Sequence, residues 1–208
     1  MKVVYVYDAL CGWCYGFSPV MSEFHEKYRD SLDFEVISGG MITGNRIGPI
    51  GEVAAYIGKA YKDVENATGV KFGESFLNET MAEGDAIFTS IPPSIALSVF
   101  KSLNPEQAVA FAGALQKAIY YDGIEPENLK AYGQIASRFG LDAEEFIEKM
   151  KDPLYRQAAE EDFKKSAALG VSGFPSVFIE SDGTYYKIGS GYLPFSNLEK
   201  NFNTIKSK

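Results

Sequence analysis

Cys11 and Cys14 are the only two cysteines in the 208-residue chain, and they stand three apart in Cys11-Gly12-Trp13-Cys14. Residues three apart on a helix share a face, so the two sulfurs can meet. Two thiols in that relation suit dithiol–disulfide exchange, the expected chemistry of C-x-x-C near a β-α-β pattern. They are too few for a disulfide scaffold. With His25 the only histidine, one chain offers at most three Cys/His ligands, and structural zinc usually takes four.

The elements around the pair are readable. Val3-Val4-Tyr5-Val6-Tyr7 is β-branched and aromatic and predicts a strand. Phe17, Val20, Met21, Phe24 and Tyr28 recur at helical spacing and predict a helix over 15–28. The cysteines therefore sit where a strand hands over to a helix. Free N–H groups and the helix dipole at that end stabilise a thiolate at Cys11.

Further along, 33–37 reads as a second strand and 41–51 as a loop. Helices are expected over 52–67 and 91–103, then from the Asn104-Pro105 start signal, from Glu125-Pro126-Glu127 to near Gly140, from the Asp142 capping box to Met150, and from Pro153 to Gly170. A shorter piece is expected over 74–80. The period then changes. Ser176-Val177-Phe178-Ile179 is a strand, Asp182-Gly183 a hairpin turn, and Tyr185 to Ile188 the return strand, broken at Gly189 to Gly191. A helix over 194–205 closes the chain. The order is β-α-β, a long helical block, then β-β-α.

Composition narrows the function. The hydrophobic share of 46% suffices for a real core. A net charge of -8 disfavours non-specific nucleic-acid binding. No secretory signal or long apolar run is visible, so a cytoplasmic location without membrane association is expected. A mature exported form with a new Met1 would read the same way.

A second landmark is Val171-Ser172-Gly173-Phe174-Pro175-Ser176. A proline entering a strand cannot donate a ladder bond, and a cis Phe174–Pro175 bond would explain its place. The combination of strand, C-x-x-C, helical insertion, and Gly-Val-x-Gly-x-Pro before a hairpin resembles the DsbA-like branch of the thioredoxin superfamily. Asp8 to Phe17 is especially similar to the cytoplasmic protein-disulfide isomerases and FrnE-like oxidoreductases of that branch.

The resemblance implies an α/β thioredoxin-like fold with a large all-helical insertion. Residues 1–45 and 171–208 would form the discontinuous thioredoxin-like domain, and 46–170 the inserted helical domain. It implies Cys11 as nucleophile and Cys14 as resolving thiol, with Phe174 and Pro175 as a substrate-contacting loop. Secreted members carry Pro-His between their cysteines. Gly12-Trp13 removes the histidine's support for the thiolate, so a weaker oxidant is expected. No cofactor is expected beyond the Cys11–Cys14 disulfide, with glutathione a conceivable co-substrate. The expected partners are proteins or small thiols carrying a disulfide or dithiol; oligomeric state is left open.

Other residues carry two readings. Trp13 is a packing residue or a substrate contact. Asp8 is a strand-end or capping carboxylate, or a buried proton acceptor for Cys14. His25 reads as a packing or surface residue. Gly39-Gly40 is a plain turn, or lets a loop approach the site. Tyr120-Tyr121 and Tyr185-Tyr186 are core or surface aromatics, or the lining of a groove. Two other functions compete: a glutathione-dependent isomerase or transferase of the 2-hydroxychromene-2-carboxylate isomerase type, and a redox-sensing adaptor. The first typically has Ser at the position of Cys11 and lacks the second cysteine.

Overall fold

The computed structural model describes residues 1–207. Strand β1 (Lys2–Tyr7) leads into helix α1 (Gly12–Tyr28) and then β2 (Asp33–Ser38). A two-residue strand β3 (Gly48–Pro49) precedes α2 (Ala54–Thr68). A wide π-type turn over Ser75–Thr80 runs into α3 (Met81–Glu83), followed by β4 (Ile87–Phe88). Helices α4 (Ile91–Leu103), α5 (Ala108–Tyr120), α6 (Leu129–Ser137), α7 (Ala143–Met150) and α8 (Pro153–Ala168) come next. The chain closes with β5 (Ser176–Ser181), β6 (Thr184–Ser190) and α9 (Phe195–Lys206). This is the expected β-α-β, helical insertion, β-β-α order, except that the insertion, expected to be all-helical, also holds the short β3–β4 pair.

The main sheet has the order β2-β1-β5-β6. β1 lies parallel to β2 and antiparallel to β5. Buried on both faces, it reads as a continuous apolar run. Alternation splits its side chains: Val3, Tyr5 and Tyr7 join the large core with α1, while Val4 and Val6 pack with Ile37 and Phe178 on the other face. The β5–β6 hairpin turns at Asp182-Gly183, both with positive φ, as a tight hairpin requires.

The insertion is tied to the sheet by charge as well as packing. Lys101 Nζ on α4 donates to Asp162 on α8 at 2.6 Å and to the Val36 carbonyl at 3.0 Å. Asp162 also accepts from the Ser38 N–H at 3.1 Å. Burial pushes the Asp162 carboxyl up more than Lys101 pulls it down. The pair and the Ser38 contact thus tie α4 and α8 to β2.

Local corrections have local causes. Glu125-Pro126-Glu127 does not open α6; Asn128 does, its side chain accepting from the Ala131 N–H at 3.2 Å. The Pro126 carbonyl is used instead by the Tyr132 hydroxyl at 2.7 Å. α6 also ends at Ser137, short of Gly140. Asn104-Pro105 starts a 3₁₀ turn over Pro105–Gln107, not α5 itself. β6 continues through Gly189, which packs closely against Val177 and Leu198, and the strand ends only before Gly191. The expected loop over 41–51 contains β3, which pairs with β4.

Candidate active site

Register brings the two landmarks together. Val6 is opposite Ser176 in the β1–β5 ladder, so the chain after β1 and the chain before β5 emerge at the same end of the sheet. The first carries the cysteines and the second carries Pro175. The Phe174–Pro175 peptide bond is cis. The Cys11 thiol faces the Phe174 carbonyl oxygen at 3.6 Å.

Cys11 is the N-cap residue of α1, in extended backbone geometry. Its sulfur accepts from the Cys14 N–H at 3.4 Å, one of the unpaired donors of the first helical turn. Both cysteines are free thiols, but not equivalent ones. Cys11 retains 7% of its surface while Cys14 retains 0%. Burial pushes the Cys14 thiol well up, and its hydrogen bond with Cys11 adds to this. A backbone hydrogen bond from Asp8 offsets part of the rise.

Asp8 is buried beneath the turn. Its carboxylate accepts from the Leu10 N–H at 2.9 Å, the Ser90 hydroxyl at 2.9 Å and the Met41 N–H at 2.7 Å. Its carbonyl accepts from the Gln116 amide at 3.2 Å. Asp8 thus joins the β1–α1 turn to the loop after β2 and to the start of α4. Burial raises its pKa, and the donors pull it back only in part. Ser90, Met41 and Gln116 were not legible as its partners, since each lies far along the chain.

A cavity of about 450 Å³ opens beside Cys11. Trp13, 36% exposed, and Phe174 both line it. The Phe174 ring also packs over Gly39, where an added Cβ would lie 2.2 Å from the ring. Gly40, with positive φ, meets the Phe163 ring in the same way. The two glycines let these rings pack against the loop, and Phe174 also lines the cavity. Tyr120 lines the cavity, whereas Tyr121, Tyr185 and Tyr186 are exposed elsewhere. Arg46, Tyr56, Tyr61 and Phe72 also line it and were not singled out in the sequence. Arg46 had one faint signal: it is the sole basic residue between Arg29 and Lys59. His25 lies outside the site, its ring edge-on to Phe34 at 4.7 Å.

Among the described residues, no group of three or more His, Cys, Asp or Glu side chains is placed to hold a metal. No described helix is long and apolar enough to cross a membrane.

Residues 94–203, over half the chain, match the family model of the DSBA-like thioredoxin domain. The chain belongs to this family. The matched span includes the cis proline and the hairpin; the cysteines lie outside it and are placed by the geometry above. A candidate protein disulfide isomerase from Nitrosomonas europaea is 27% identical, with a TM-score of 0.85 over 100% of this chain and 98% of its own. The cytosolic disulfide reductase DsbM from Pseudomonas aeruginosa shares the fold at 24% identity and a TM-score of 0.84, each chain covered in full. A 2-hydroxychromene-2-carboxylate isomerase shares it more distantly, at 15% identity and a TM-score of 0.64, over 100% of this chain and 94% of its own. The search of curated proteins returns no significant match.

Proposed function

We propose that this DSBA-like chain is a thiol–disulfide oxidoreductase in which Cys11 attacks and Cys14 resolves. The observation that carries the reading is the placement of Cys11. It caps a helix, retains some exposure, and faces the carbonyl that precedes a cis proline, with Cys14 buried behind it.

The exchange balances without a cofactor. The Cys11 thiolate attacks one sulfur of a substrate disulfide, and the other sulfur leaves as a thiolate. Cys14 then loses its proton and attacks Cys11 Sγ, expelling the second thiolate and leaving a Cys11–Cys14 disulfide. Asp8 is the proposed acceptor of that proton: it is buried, it acts electrostatically on Cys14, and burial raises its pKa toward that of a useful base. Trp13, Phe174 and Pro175 are the proposed substrate contacts. A dithiol or a small thiol such as glutathione would regenerate the reduced pair. The reverse sequence oxidises a dithiol.

We assign the protein to the cytoplasm, working in the reductive direction. The full-length likeness to a cytosolic disulfide reductase and the absence of histidine between the cysteines support this. A glutathione-dependent isomerase is the weaker reading, because the site keeps a second free thiol hydrogen-bonded to the first.

The test is insulin reduction coupled to dithiothreitol. Cys11→Ser abolishes it on this account. Undiminished turnover by that variant refutes the assignment.

A further inference from the structure

The cavity beside Cys11 is electrostatically one-sided. Trp13, Met41, Ile57, Tyr61 and Phe72 give it apolar and aromatic walls. Arg46 is the only charged side chain among the described residues that line it. This occurs in a chain whose net charge is -8. Ten Lys and Arg side chains form ion pairs among the described residues; Arg46 forms none there.

Arg46 is nonetheless held. Its Nη2 donates to the Gly40 carbonyl at 3.2 Å. Gly39 and Gly40 are also the seats of the Phe174 and Phe163 rings, so one loop positions both the cation and the carbonyl that faces Cys11. A guanidinium has five N–H donors in a planar fork. One is committed to Gly40, and the others are free to meet a carboxylate in the two-point geometry that arginine favours. The volume of about 450 Å³ suits a single small molecule.

We propose that this groove selects low-molecular-weight disulfides whose apolar or aromatic body carries a carboxylate, with Arg46 holding the carboxylate while Cys11 attacks the sulfur. The proposal rests on the exchange reading above and adds its substrate class. Each turnover transfers two electrons to the substrate: its S–S bond breaks, two thiolates leave, and Cys11 and Cys14 end as a disulfide.

The experiment compares two aromatic probe disulfides on the pre-reduced protein by stopped-flow absorbance. One is dianionic, 5,5′-dithiobis(2-nitrobenzoate); the other is neutral, 4,4′-dithiodipyridine. The readout is the ratio of their second-order rate constants, in which general damage to the fold cancels. Arg46→Gln is expected to lower the dianionic-to-neutral ratio by roughly tenfold, the size of one charge-assisted contact. Arg46→Lys is expected to restore part of it. A ratio within about twofold of the parent overturns the proposal. So does an equal fall in Lys200→Gln, a charge-loss control on α9, since that would reflect net charge alone. An equal fall in insulin reduction, taken relative to the neutral probe, would assign Arg46 to protein substrates and overturn the small-molecule class. Failure of the exchange reading looks different: Cys11→Ser would then keep the parent rate with the neutral probe.

Discussion

The Cys11 thiol lies 3.6 Å from the carbonyl oxygen of Phe174, a residue 163 positions away. The contact exists because β1 and β5 are antiparallel neighbours with Val6 opposite Ser176. It places the cis-proline loop against the more exposed sulfur and leaves Cys14 behind it. The two thiols therefore have different surroundings and different reactivity.

Alkylation at neutral pH reads the asymmetry directly. Iodoacetamide should add one equivalent to the reduced protein, on Cys11. Cys14 should react only in denaturant, because it is fully buried and burial holds it as the unreactive thiol. Intact mass followed by peptide mapping checks this; equal labelling of both cysteines in the native state contradicts it.

Gly39 should be intolerant of a side chain. An added Cβ would sit 2.2 Å from the Phe174 ring, which must then move and carry its carbonyl away from Cys11. Gly39→Ala is expected to cost about 1–3 kcal/mol in urea unfolding and to slow Cys11 alkylation or exchange several-fold. Parent-like stability and reactivity together would show that the ring contact does not position the loop.

Asp8 supports the site through three acceptor contacts. Asp8→Asn keeps one oxygen, but its amide nitrogen would meet the Met41 or Leu10 N–H, donor against donor. A loss of about 1–3 kcal/mol is expected. Burial raises the Asp8 pKa in the fold. Its contribution is therefore fullest below the ordinary carboxylate range and declines as pH rises through the folded value. The stability gap between parent and variant should narrow with rising pH, and a gap that widens contradicts the buried-carboxylate reading. The variant should also slow resolution by Cys14 more than attack by Cys11.

His25 offers a second pH probe, and as the sole histidine it gives a single titration curve. Burial lowers its pKa from the usual 6.5, and the Arg29 charge adds to this. The unfolded chain then holds the proton more tightly between the lowered value and 6.5. The contribution of His25 is complete above that window and is lost as pH falls through it. Proton NMR should give a midpoint below 6.5; a midpoint at or above it contradicts the packing of the ring on Phe34.

The sequence showed what local pattern can encode. The cysteine spacing, the apolar run of β1 and the Asp182-Gly183 turn each depend on near neighbours, and each was placed correctly. The proline at the entry to β5 was legible as an anomaly before it was visible as a cis bond. What stayed hidden depends on distant partners. Ser90 reaches Asp8 across 82 positions with no local motif to announce it. Nothing local marks Arg46 as the one charged side chain among the described residues that line the cavity. β3 and β4 are two residues each, too short to display alternation. At α6, Pro126 was the louder signal, yet Asn128 made the cap.

The central claim is that Cys11 attacks and Cys14 resolves. Intact mass of a Cys14→Ser variant, after reaction with a disulfide, tests it most directly. The account predicts a stable mixed disulfide on Cys11 in the variant, and in the parent no adduct but the loss of two hydrogens as Cys11–Cys14 closes. A variant that carries no adduct on Cys11, or a parent that retains one, would contradict it.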